Sequence, residues 1–223
     1  SAHHFSTEMG SSCTTFVGAG SVSSTGHHRH SGQTRMACGS RPEVPEWRTR
    51  CRSQIQKEGF VNPYEKWLKN RDPLVVATAT PARILALIRG LTSRQLARRP
   101  APGKWSIREI ISHLADTEMV MGCRARWIAF EEHPTLVPFD QNKWATGWAG
   151  EKEPVAETFE RFRLMRRSQM RLFRNASRKS LRRTGFHPER GVVTLRVQLE
   201  TLAGHDLNHL AQIERQAAQA KAK

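Results

Sequence analysis

"SIREIISHLADTEMVMGCRARWIAFEE", residues 106–132, carries a helix start and a long helical period in one run. Ser106, with Glu109 three residues on, has the form of a capping box. The hydroxyl takes the amide of the third helical residue and the carboxylate reaches back to the cap amide. Ile107, Ile110, Ile111, Leu114, Met121 and Ile128 then recur at the spacing of one helix face. A stripe that long needs partner helices to cover it.

Both flanks supply them. "NPYEKWLKNRDPLVVATATPARILALIRGL", residues 62–91, predicts a helix over 73–89. It starts on Asp72-Pro73, restarts or bends at Pro81 and stops at Gly90. "LTSRQLARRPAPGKW" reads as a short helical turn and then a Pro/Gly loop. Residues 133–154 form an aromatic-bearing loop, of a length uncommon in compact domains unless it carries function. Pro154 begins a third helix running to about 177, with Val155, Phe159, Phe162, Met165, Gln169, Leu172, Phe173 and Ala176 as its inner stripe. After "TGFHPERGVV", a fourth runs from about 194 to 217. Four long amphipathic segments without credible strands or repeats predict an all-α protein, an up-down four-helix bundle over 61–217. Residues 218–223 read as a short tail.

Residues 1–60 are Ser/Gly/Thr-rich with no apolar period, which predicts a disordered tail. His27, His28 and His30 lie in it, a tract able to bind metal adventitiously. The chain opens on Ser1, which reads as a fragment edge or an over-extended translation start. Four cysteines without ligand-like spacing argue against a disulfide framework. With no long apolar run and no signal-peptide core in the first 30 residues, the expected compartment is the cytoplasm, away from membranes.

Near the other end stands "LAGHDLNHLAQIE", residues 202–214. Leu195, Leu199, Leu202, Leu210 and Ile213 share one face of this helix. His205 and His209 project onto its flank, roughly 70–110° from the centre. His113 projects similarly at the edge of the second helix's stripe. Each would therefore offer imidazole to a seam between bundle and solvent. Three neutral imidazoles with one open position make a catalytic metal set, and imidazole suits zinc, nickel or iron. Satisfied flank histidines are the bland alternative. "HDLNH" also approaches the HExxH of zinc proteases, but Asp206 is shorter than the Glu base and projects toward the core. Only 14 residues follow His209, with one acid and no histidine.

The net charge is +16, and residues 61–223 hold 29 Lys/Arg against 16 Asp/Glu. Ten of those cations, with no acid, fall in residues 161–183. This is where nucleic-acid binding would reside. The interleaved Phe and Leu read as core, which leaves the arginines as a solvated outer face and disfavours a nucleic-acid partner.

At "PAPGKWSIREIISHLADTE", "PFDQNKWA", "HPERGVVTL" and "LAGHDLNHLAQIE" the chain resembles the DinB/YfiT-like superfamily, bacterial four-helix bundles with a three-histidine metal site. The resemblance covers about residues 62–216. It implies metal ligands at His113, His205 and His209, and a divalent transition metal together with a low-molecular-weight thiol. Asp140, Gln141, Trp144 and His187 become candidates for the pocket rim. The implied function is a thiol-assisted transferase or isomerase acting on a small molecule. The alternatives are a metal-dependent hydrolase, a non-catalytic metal-binding stress protein and, last, a basic nucleic-acid-binding protein. Bundles with an exposed apolar seam often dimerise, so a homodimer is a further candidate partner, although no patch in the sequence demands it.

Overall fold

In a computed structural model of the chain, the structure describes residues 60, 62–145, 147 and 153–222. The tail and its histidine tract thus lie outside the described residues, as does part of the 133–154 loop. Four long helices dominate: α2 (Pro73–Ile88), α4 (Ile107–Phe130), α6 (Val155–Asn175) and α8 (Leu195–Lys221). Short helices α1 (Glu65–Leu68), α3 (Ser93–Ala97), α5 (Gln141–Ala145) and α7 (Arg178–Leu181) lie between or before them. The architecture is the expected four-helix bundle. Both α2 and α4 pack against α6 and α8, so α2 stands diagonally across the bundle from α4, and α6 from α8, while the successive helices α4 and α6 are neighbours.

The helix starts follow from local chemistry. Asp72 accepts from the amides of Leu74 and Val75 ahead of Pro73, and Ser106 and Glu109 make both bonds of the capping box. Gly90 ends α2 at φ +80°, backbone that only glycine adopts freely.

Two expectations change. Thr184–His187 and Gly191–Thr194 pair as an antiparallel hairpin, β1 and β2, where no strand was expected. Its three-residue connection closes on Gly191 at φ +76°, a tight hairpin loop with left-handed glycine. Four-residue strands are too short for alternation to stand out. Helix α8 also continues to Lys221 through the expected tail. Ala217 and Ala220 are buried there, and Gln95 Nε2 donates to Ala220 O at 2.8 Å, which docks the last turns on α3.

The centre of the bundle is polar. Arg166, on α6, is 2% exposed. Its guanidinium reaches Glu118 on α4 at 2.5 Å and Asp206 on α8 at 2.5 Å, and donates to Ala77 O on α2 at 2.7 Å. Proline at 81 has no N–H for the carbonyl four residues back, which is Ala77. Arg166 fills that vacancy, so one side chain ties all four long helices. The arginines of 161–183 are therefore no single solvated face. Arg161 pairs with Asp116 and Glu153, and Arg183 donates to the carbonyls of Ile128 and Glu131 at the end of α4.

Candidate metal centre

One helical turn separates His205 from His209 on α8, and α4 brings His113 across to them. His205 Nε2 lies 2.8 Å from His113 Nε2 and 3.1 Å from His209 Nε2, and a ligating nitrogen from each ring falls within 4.8 Å of the others. An imidazole nitrogen has a single in-plane lone pair or a single hydrogen, so hydrogen bonding satisfies only one of His205's two contacts. A cation satisfies all three nitrogens at once. Tetrahedral ligands about 2.0–2.1 Å from a metal stand about 3.3 Å apart, close to the 2.8 and 3.1 Å between His205 and its two neighbours. The residues present fit a divalent transition metal.

The histidines are more buried than a bundle–solvent seam implies: His113 is 1% exposed, His205 and His209 5% each. Two aromatic residues that the sequence reading did not single out cover them. Trp105, in the loop before α4, has its ring 4.8 Å from His113 and 6.0 Å from His209, nearly parallel to the latter. Gln216 on α8 pins it by donating to Trp105 O at 3.1 Å. Tyr64 meets His205 edge-on at 5.2 Å. Gly204 makes that approach possible, because a Cβ there would stand 2.6 Å from Tyr64 O. A glycine inside a long helix was the available signal of close backbone contact.

Burial holds all three rings neutral. The His113 pKa falls to about 3, from burial and then from His209. That of His209 falls to about 4, again from burial. His205 is pushed down by burial and then by its two neighbours. Neutral imidazole is the form that ligates. His209 Nδ1 lies 3.1 Å from Gln212 Oε1, a contact that directs its hydrogen outward and leaves the Nε2 lone pair for a metal. The Nδ1 atoms of His113 and His205 have no hydrogen-bond partner among the described residues.

Among the described residues no carboxylate joins the cluster. Asp206, the one acid inside "HDLNH", is fully buried against Arg166 and faces away from any role as a protease-type base.

A cavity of about 440 Å³ opens beside His209 and Trp105. Asn142 lines it, whereas Asp140, Gln141, Trp144 and His187 are not among its lining residues. Asp140 instead accepts from the amides of Asn142 and Lys143 at the start of α5. Trp144 stacks edge-on with Phe139 at 5.1 Å. Gln141 is exposed in the first turn of α5. His187 is buried on β1, its Nδ1 accepting from the Glu189 amide.

The chain is similar to known proteins in sequence and in fold. A protein of Oceanobacillus iheyensis named as a candidate metal-dependent hydrolase is 29% identical over 55% of this chain and 71% of its own length. A second from the same organism, named likewise, is 25% identical over 72% of this chain and 89% of its own. The solved structure of YfiT from Bacillus subtilis superposes with a TM-score of 0.62 at 22% identity, covering 73% of this chain and 91% of YfiT. Its description is of a candidate metal-dependent hydrolase with an unusual four-helix bundle topology. None of the helices among the described residues is long and apolar enough to cross a membrane. The DinB superfamily model matches residues 77–213, more than half of the chain and all three histidines: the chain belongs to the DinB superfamily.

Proposed function

We propose that this chain is a metal-dependent enzyme in which His113, His205 and His209 hold a divalent transition metal and a low-molecular-weight thiol supplies the nucleophile for S-transfer to, or isomerisation of, a small molecule. The observation that carries it is the convergence of three neutral imidazole nitrogens beside a cavity, with no acid among them. A metal held by three imidazoles lowers the pKa of a thiol or water in its open position. The chain's own residues do the rest. Trp105 and Tyr64 keep bulk water from the imidazoles, Gln212 orients His209, and Gln216 holds Trp105 in place.

The nearby carboxylates support a nucleophile ionised on the metal over one activated by a general base. Glu118 and Asp206 are committed to Arg166, and Glu109 to Arg99 and the α4 cap. Hydrolysis that used one of them as general base would need it free, whereas a thiol or a water ionised on the metal needs none. Hydrolysis is the second reading, favoured by the names its relatives carry.

Cobalt-loaded protein tests the choice. Under the proposal, a low-molecular-weight thiol produces a sulfur-to-cobalt charge-transfer band, and turnover of an electrophile requires that thiol. Turnover of an ester or amide without thiol, and no such band, would establish the hydrolase instead.

A further inference from the structure

The cavity beside His209 has a chemical bias that the metal site alone does not explain. Its walls include Trp105, Gln212 and Asn142, together with Lys104 from the Pro/Gly loop and Arg215 from α8. No described acid lines it. Both cations are exposed. Lys104 and Arg215 stand out from Arg161, Arg163, Arg166 and Arg183, which are committed to carboxylates or carbonyls. Neither side chain of the pair makes a hydrogen bond or ion pair with a described residue.

Two uncommitted cations from separate elements, on one concave surface with an aromatic wall, form an anion subsite next to the reactive position. A cleft lined by one sign of charge concentrates oppositely charged ligands. A guanidinium matches a carboxylate through paired N–H donors, and an ammonium adds a point charge. Gln212 and Asn142 add neutral amides suited to a peptide-like body.

We infer that this cavity binds small carboxylate-bearing molecules, the carboxylate held between Lys104 and Arg215 and the body laid along Trp105 toward His209. This rests on the metal-enzyme reading for its meaning but not for its test. The ligand class covers the thiol and its acceptor alike, since His209 lines this cavity.

The test uses zinc-loaded full-length protein and a matched pair without a thiol, N-acetylserine and N-acetylserinamide, titrated by calorimetry or by NMR shifts. The acid should bind about tenfold tighter than the amide. That preference should vanish in the Lys104→Ala/Arg215→Ala variant, which alters only exposed side chains and keeps the same circular dichroism. Equal binding of acid and amide, no binding of the acid, or an acid preference that survives in the variant would each overturn the inference. N-acetylcysteine with cobalt-loaded protein reads the thiol proposal separately. A missing sulfur-to-cobalt band defeats that proposal and leaves the carboxylate result standing.

Discussion

Arg166 donates to both oxygens of Asp206, at 2.5 and 2.9 Å, and Asp206 directly follows the metal-site residue His205. The register of α8, and with it the position of His205, is therefore tied to the buried guanidinium that also holds Glu118 and the Ala77 carbonyl. Structural knot and metal site share a helix turn, with His205 and Asp206 about 100° apart around it.

Removing the centre of that knot leaves Asp206 and the Ala77 carbonyl without their Arg166 donor and Glu118 with the Gln169 amide in place of a cation. Arg166→Met should cost about 3–5 kcal/mol of stability, the usual penalty for breaking a buried ion pair from one side. Urea unfolding of metal-free protein measures it. Replacing all three charges, as Arg166→Met/Glu118→Leu/Asp206→Leu, should recover much of the loss, because apolar groups need no partner. A single variant as stable as the parent would mean that the network contributes nothing.

Gly204→Ala places a methyl 2.6 Å from Tyr64 O and 2.7 Å from Tyr64 Cβ, neither of which is the far end of a flexible chain. The segment before α1 must move, which should cost about 1–3 kcal/mol as overpacking does. Tyr64 would also withdraw from His205. Thermal unfolding reads the first effect. Faster metal release to a chelator reads the second.

The histidines give metal-free protein an acid sensitivity of defined sign. In the folded state His113 and His209 titrate near 3 and 4, while unfolded histidine titrates near 6.5. Between these values the unfolded chain binds more protons, so stability is full above about pH 6.5 and falls as the pH drops toward 4. Each histidine contributes about 1.4 kcal/mol per pH unit. His205, lowered in the same direction, adds to the slope. Denaturation midpoints from pH 8 to 4.5 check this; a midpoint unchanged between pH 6.5 and 5 would show that the rings are not held neutral.

What the sequence discloses depends on how local the physics is. The capping box at Ser106, the stop at Gly90 and the shared face of His205 and His209 follow from neighbours within one turn, and the structure places them as expected. Arg166 was assigned to solvent because burying a guanidinium requires Glu118, Asp206 and Ala77 from three other helices. Pro81 held the hint, since it frees a carbonyl that something must satisfy. Trp105 and Tyr64 escaped notice for a related reason. Their place over the histidines is set by Gln216 and Gly204, more than a hundred residues away in the chain. The family resemblance supplied the pairing of His113 with the α8 histidines, which periodicity alone left open.

The central claim is that three imidazoles hold one metal. Full-length protein stripped with chelator, reloaded with zinc and measured by metal analysis should retain about one zinc per chain. His113→Ala, His205→Ala and His209→Ala should each lose it while keeping the helical circular dichroism of the parent. Folded protein that takes up no zinc, or variants that retain it as the parent does, would contradict the account.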